Sequence, residues 1–320
     1  MQKRRLGNQG LEVSSLGYGA MGIHSFYGPG DEQQGLKAIQ TAYDRGVTLF
    51  DTAELYGWGD NEKFVGKAIK PFRDRVTVAT KFGFTPQFGY DSRPDHIREV
   101  VDNSLRYLGV DHIDLLYQHR LDPSVAIEEV VGTMKDLVQA GKVKYLGLCE
   151  IGPKTLRRAH AVHPISVLQT EYSLFAREVE TVFPTLKELG VGFVAYSPLA
   201  RGFLTGGVQK AEAYDPTDSR RSGNFPWWNP GNFEKNLVLV EALQALAQRK
   251  GASISQLALA WILAQGNQIV AIPGSRNPQR VEENLRGADL VLTAQDLAEI
   301  QRIIPNGGIG SRSIRDTVWE

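Results

Sequence analysis

The chain has 320 residues, of which 42% are hydrophobic and 22% charged, a globular composition long enough to bury a large core. Lys plus Arg and Asp plus Glu both number 36, so the formal net charge is zero and nothing marks a nucleic-acid partner. No apolar run approaches membrane-spanning length, the basic start Met1-Gln-Lys-Arg-Arg lacks the apolar region of a signal peptide, and the lone Cys149 suits a reducing, cytoplasmic setting.

Lys3–Leu6 and Leu11–Ser14 flank Gly7-Asn-Gln-Gly10 and predict a short N-terminal β-hairpin. Strand and helix patterns then alternate. Leu16–Gly19 reads as a first strand, followed by helix Gln33–Arg45 and strand Val47–Asp51. Helix Glu62–Ile69 leads to strand Val76–Lys81, and helix Asp95–Leu108 to strand Ile113–His119. Helix Ile127–Ala140 leads to strand Val143–Cys149, and helix Lys154–Ala161 to strand Ser166–Thr170. Helix Val179–Leu189 leads to strand Gly192–Ser197. Helices Asn232–Lys250 and Ser255–Gln265 precede strand Gln268–Ile272, and helix Pro278–Arg286 follows it. Roughly eight strand–helix units in one chain predict a (β/α)8 TIM barrel behind a short hairpin, with residues 1–320 as a single domain. The longest irregular stretch, Arg201 to Gly231, carries Phe225, Trp227 and Trp228, which argue for a structured, functional loop.

Gly17-Tyr-Gly-Ala-Met-Gly22 matches G-x-G-x-x-G, but Gly22 runs into Ile-His-Ser-Phe-Tyr-Gly-Pro-Gly30 and opens no helix. A dinucleotide fingerprint needs that helix, so these glycines are read as permitting close backbone approach at a barrel mouth. His160-Ala-Val-His163 lacks further ligands, and no metal is expected.

Parallel barrels place their chemistry at the carboxyl ends of the strands. There the sequence sets Asp51 with Tyr56 just past it, then Lys81, His119, Cys149-Glu150, Gln169 and Tyr196. A phenol has a pKa of about 10, and a neighbouring ammonium lowers it. A buried Lys needs a carboxylate to stay charged, and Asp51 is suitably placed. His119 can hold a substrate oxygen or share the proton. Singly, each residue reads more readily as an ion pair, a core imidazole or a cap; together at one rim they read as a proton-transfer group.

Phe50-Asp51-Thr-Ala-Glu-Leu-Tyr56-Gly, Ala79-Thr-Lys81, Leu116-Tyr-Gln-His119 and Gln169-Thr-Glu-Tyr172 resemble the aldo-keto reductases. So do Ala195-Tyr196-Ser-Pro-Leu-Ala-Arg201-Gly and Ile272-Pro-Gly-Ser275-Arg276-Asn-Pro-Gln-Arg280-Val-Glu-Glu283-Asn284. Tyr117-Gln-His-Arg120 and Arg157-Arg-Ala-His-Ala-Val-His-Pro164 are most similar to a plant-and-bacterial branch. The resemblance implies NADPH-dependent reduction of an aldehyde or ketone. Tyr56 would be the general acid, tuned by Lys81 and Asp51, with His119 orienting the carbonyl. Gln169 would hold a nicotinamide stacked on Tyr196, near Gly19, Met21, Asp51 and Cys149. Ser197, Pro198, Leu199, Arg201, Gly202 and Leu204 would line the pyrophosphate tunnel. Ser275, Arg276 and Arg280 would take the 2′-phosphate beside Gly274, with Glu283 and Asn284 at the adenine. Three positions depart from the family pattern: Cys149-Glu150 stands where many members have Ser-Asn, and Gly274 where many have Lys.

Trp58, Phe82, Trp227 and Trp228 are expected to give the substrate an aromatic-lined mouth. The partner is a small-molecule carbonyl compound, and the protein a monomer or homo-oligomer. Two alternatives stand beside this reading. One is a Schiff-base aldolase with Lys81 as nucleophile. The other is a non-enzymatic, cofactor-binding regulatory subunit, since the resemblance extends to channel-associated β subunits.

Overall fold

The structure is a computed structural model and describes residues 1–24 and 26–313. Strands β1 (Lys3–Leu6) and β2 (Leu11–Ser14) form the antiparallel hairpin. The barrel strands follow in chain order: β3 (Tyr18–Gly19), β4 (Leu49–Asp51), β5 (Thr77–Phe82), β6 (Ile113–Gln118), β7 (Val143–Cys149), β8 (Val167–Glu171), β9 (Gly192–Tyr196) and β10 (Ile269–Ala271). All neighbours are parallel and lie in sequence order. The barrel is closed by a parallel bridge between Leu16 and Ala271, with Gly17 N–H donating to the Ala271 carbonyl at 2.8 Å.

Helices α1 (Glu32–Asp44), α2 (Asp60–Ile69), α3 (Pro94–Leu108), α4 (Ile127–Gln139), α5 (Pro153–Val162) and α6 (Phe183–Leu189) separate the strands up to β9. Helices α7 (Asn232–Arg249), α8 (Ile254–Ala264), α9 (Pro278–Leu285) and α10 (Ala294–Ile303) complete the set among the described residues. Local chemistry sets their ends. Pro94 opens α3, where its missing N–H costs nothing, and Gly109 closes it at φ 64°. Ser253 and Gln256 cap α8 reciprocally. The helix expected at Val179–Leu189 is split: Glu178–Val182 is 3-10, and α6 restarts at Phe183 with Pro184 in its first turn. Helix α10, which the sequence reading did not anticipate, starts at a Thr293–Asp296 capping box.

Alternation along the strands separates two cores. Leu49, Ala79, Leu115, Tyr117, Val167, Val194 and Val270 fill the barrel, joined by Leu6, Leu11 and Val13 of the hairpin. Phe50, Val78, Phe82, Leu116, Leu148, Leu168 and Phe193 belong to the larger core under the helices. The parity puts Lys81 inside and Phe82 outside, since successive residues face opposite ways. Gly17 and Gly19 serve this packing: a Cβ would come within 2.9 Å of Ile272 atoms at either position. The close approach expected of these glycines is therefore strand against strand at the barrel seam.

Candidate active site

Register fixes the polar floor of the barrel. Asp51 pairs with Gly19 and Ala79, Lys81 pairs with Tyr117, and Cys149 pairs with Gln169. Lys81 Nζ donates to Asp51 Oδ1 and, at 2.7 Å, to the Thr52 carbonyl. Gln169 Nε2 donates to Asp51 Oδ2 at 2.8 Å. Lys81 Nζ also lies 5.2 Å from the centre of the Tyr56 ring. His119 meets the Tyr56 ring edge-on at 5.9 Å and the Phe84 ring at 5.0 Å. The four expected proton-transfer residues are thus brought together.

Their charge states follow from burial and neighbours. Burial pulls Lys81 down, but Asp51, Tyr56 and Cys149 outweigh it and hold the ammonium at about 12. His119 sits well below the usual imidazole value because of burial, Arg120 and Lys81, and is neutral. Its Nδ1 is buried without a hydrogen-bond partner among the described residues. Tyr56 departs from expectation. Burial raises its pKa by more than Lys81 lowers it, so the phenol is held in its protonated form.

A cleft of about 410 Å³ opens on this group, reaching Asp51 and Tyr56 at its floor. Fourteen of the eighteen residues expected at a cofactor line it: Gly19, Met21, Asp51, Gln169, Tyr196, Ser197, Pro198, Leu199, Arg201, Gly202, Gly274, Ser275, Arg276 and Arg280. Cys149, Leu204, Glu283 and Asn284 do not. Cys149 packs inside the barrel and Leu204 in the outer core. Glu283 and Asn284 lie on α9, with Asn284 buried. The wall after β9 is unusual backbone: Ser197, Ala200 and Arg201 all have positive φ, from 48° to 53°, before Gly202 at 110°. Left-handed conformations at non-glycine residues carry strain and concentrate at functional sites.

Among the described residues, four guanidiniums line the cleft, against the single carboxylate of Asp51. Arg201 pairs with Glu171 at 2.8 Å. Arg220 pairs with Asp218 at 2.6 Å and lies 3.6 Å from the Tyr214 ring centre. Arg276 is tethered, donating to the carbonyls of Tyr27 at 2.7 Å, Gly28 at 3.0 Å and Pro29 at 2.5 Å. Arg280 is exposed. Gly274 is shaped by the barrel seam, since a Cβ there would meet the Gly19 carbonyl oxygen at 2.3 Å. Any side chain, a lysine included, would have to move that backbone.

The aromatic mouth differs from expectation. Phe82 faces the helices. Trp227 is fully buried and donates to the Gly310 carbonyl, while Trp228 donates to the Gln209 carbonyl. Neither tryptophan lines the cleft, because the 201–231 stretch folds through 3-10 turns that turn their rings inward. Trp58 is exposed at the rim, edge-on to Phe88. The apolar surface around Tyr56 comes instead from Ala53, Leu55 and Phe84, with Met21 and Phe26 against them. Phe26, whose ring meets Tyr56 edge-on at 6.3 Å, was not anticipated; its place in the segment after β3 was the available signal. His160, once weighed as a ligand, accepts the Ile165 N–H at 3.2 Å and closes a turn.

Comparisons with known proteins agree with this geometry. The model of the aldo/keto reductase family matches residues 15–305. A probable aldo-keto reductase 1 from Glycine max is 43% identical over 316 residues, covering 97% of this chain and 90% of that protein. The aldo-keto reductase str7 of Strobilurus tenacellus is also 43% identical, covering 95% and 93%. Among solved structures, the glycerol dehydrogenase AKR11B4 from Gluconobacter oxydans superposes with a TM-score of 0.86 at 29% identity, covering 99% of this chain and 98% of that one. The holo form of the aldo-keto reductase AKR11C1 from Bacillus halodurans gives 0.80 at 29% identity, covering 95% and 96%. Barrel, strand-end residues and near full-length identity converge, and the chain belongs to the aldo/keto reductase family, oxidoreductases that act on carbonyl and alcohol groups.

Proposed function

We propose that this protein reduces an aldehyde or ketone to an alcohol with NADPH, taking the proton from Tyr56. The observation that carries the reading is one cleft with two chemistries: Asp51 and Tyr56 at its floor, and Arg201, Arg220, Arg276 and Arg280 on its walls. That donor set suits an anionic dinucleotide whose reactive end reaches the phenol. Tyr196 and Gln169 would hold the nicotinamide, residues Ser197 to Gly202 the pyrophosphate, and Ser275, Arg276 and Arg280 the 2′-phosphate. Gln169 gives one amide N–H to Asp51, which leaves its second N–H and its oxygen to serve a ligand. Bound nicotinamide supplies the hydride.

The chain's own residues handle the proton. Burial keeps Tyr56 protonated through neutral pH. Neutral His119 can donate a hydrogen bond to the carbonyl oxygen and direct it toward the phenol. As the phenol gives up its proton, the charge that forms faces the Lys81 ammonium, held in place by Asp51. Phe26, Phe84 and Met21 exclude water from the reacting atoms. The same ion pair argues against the aldolase alternative. A Schiff-base lysine must be neutral, and Lys81 is held charged at about 12. Steady-state NADPH oxidation over a panel of aldehydes and ketones tests the proposal. Turnover on none of them, with tight NADPH binding, would favour a regulatory subunit.

A further inference from the structure

The departure at Cys149-Glu150 leads to a residue far outside the family's motifs. Glu150 is buried, 3% exposed, at the end of β7 with φ 53°. Arg312 grips it with both prongs, Nη1 to Oε1 at 2.7 Å and Nη2 to Oε2 at 2.5 Å. Glu150 Oε1 also accepts the Tyr196 hydroxyl at 2.8 Å and the Glu171 N–H at 3.0 Å. Arg120 reaches the same hydroxyl at 3.4 Å. Arg312 Nη1 lies 3.8 Å from Glu171, whose carboxylate holds Arg201 at 2.8 Å. Tyr196 and Arg201 line the cleft; Arg312, Glu150 and Glu171 do not.

The segment carrying Arg312 is built in. Gly308 N–H donates to the Phe175 carbonyl at 2.9 Å. Asn236 on α7 accepts from Ile309 N–H at 2.8 Å and donates to its carbonyl at 3.0 Å. Trp227 fixes the Gly310 carbonyl at 3.0 Å. Gly310 has φ 97°, and a Cβ there would meet Asn232 Nδ2 at 2.8 Å. Trp227, expected at the substrate mouth, is thus an anchor for this segment.

We infer that Arg312 is a positioning residue for the cofactor. Through Glu150 it sets the Tyr196 ring, and through Glu171 it sets the Arg201 guanidinium, so residues 307–312 are part of the nicotinamide and pyrophosphate site without touching it. The inference rests on the proposed occupancy of the cleft by NADPH. Buried carboxylates need a matching cation and full hydrogen bonding, and losing one partner of such a pair is felt strongly. Removing both partners together is felt much less.

The test is a double-mutant cycle read by NADPH fluorescence titration and steady-state kinetics. Arg312→Met should raise the Kd and KM for NADPH at least tenfold, while the KM for the carbonyl substrate stays within about twofold. In the Glu150→Gln background the same substitution should cost NADPH affinity at least about threefold less than in the wild type, because Gln still accepts the Tyr196 hydroxyl and only the path through Glu171 is left to lose. Arg312→Lys, with charge but one prong, should fall between. Equal losses in the two backgrounds would overturn the inference, as would wild-type affinity in a folded Arg312→Met. If Arg312→Met unfolds, the comparison runs between Glu150→Gln and the double variant; unfolding there too would assign Arg312 to the fold and overturn its role at the site. A wild-type protein that fails to bind NADPH would instead refute the proposed function.

Discussion

Arg276 separates two ways of building cofactor preference. Its guanidinium donates to three carbonyls of the Tyr27–Pro29 segment and also lines the cleft. A single 2′-phosphate bond to a charged group is worth ~1.5–3 kcal/mol, a factor of roughly 10 to 150 in NADPH affinity. The tether adds a second effect that ignores the phosphate. Arg276→Ala frees a segment that carries Tyr27 on the cleft wall, and ordering it again on binding costs about 1 kcal/mol, roughly fivefold, for either cofactor. Arg276→Ala should therefore weaken NADPH by the product of the two effects, roughly 50- to 750-fold, and NADH by about fivefold. The Arg280 side chain has no partner among the described residues, so Arg280→Ala should weaken NADPH by about tenfold and leave NADH unchanged. Fluorescence titration of both cofactors at one fixed ionic strength reads all four constants. NADH affinity untouched by Arg276→Ala would show that the tether contributes nothing to binding. An unchanged NADPH-to-NADH ratio in Arg280→Ala would remove it from phosphate recognition.

Tyr56→Phe should cut carbonyl reduction by at least ~10²-fold with NADPH affinity unaltered, and near-normal turnover would sink the assignment. Because burial raises the Tyr56 pKa, reduction should persist past the ordinary phenol value of about 10, while alcohol oxidation should keep rising there; a reduction rate that falls below that pH would contradict the raised value. Glu54, which accepts the Gly83 and Phe84 N–H groups, is pushed up to about 8, chiefly by burial. Between its unfolded value of 4.5 and about 8 the folded state keeps a proton that the unfolded state has lost, so this group makes stability fall as pH rises across that window. Urea denaturation of Glu54→Gln at pH 5 and pH 8 should show the variant gaining on the wild type by a few kcal/mol, on the order of 1.4 per pKa unit, and an equal difference at both pH values would refute the shift. Ser219 N–H donates to the Phe26 carbonyl at 2.8 Å and Arg220 lies 5.0 Å from the Tyr27 ring centre, so the 201–231 stretch bridges the cleft. NADPH should protect it from proteolysis, and equal cleavage with and without cofactor would exclude a covering role.

The placement of Asp51, Lys81 and His119 at one rim could be read directly, because each follows a short buried run and parallel strands end at a common rim. The same rule misled at Phe82. Period-2 parity, with Lys81 inside, already turns Phe82 out to the helices, but its aromatic character suggested a ligand wall. Trp227 and Trp228 failed for another reason: a loop's composition does not say which side folds inward. The split before α6 was legible in Pro184, and α10 in Thr293 and Asp296 three residues on. Arg312 was not, since its partner Glu150 lies 162 positions earlier and no local pattern links them. The Tyr56 pKa was misjudged because sequence names the neighbouring charge, while burial, the larger cause, belongs to the whole fold.

The seam between β3 and β10 bears on how such a chain reaches its native state. The sheet cannot close until Ala271 is available for Leu16, so throughout synthesis two strand edges stay unpaired. An open edge is a template for the wrong neighbour, whether another nascent chain or a slipped copy of itself. Here one of those edges is hard to misuse. Strand β3 is two residues long, and Gly17 and Gly19 on either side of Tyr18 offer little side chain for a stranger to grip. The glycines that let Ile272 pack against the seam thus also make the waiting edge a poor nucleus for aggregation.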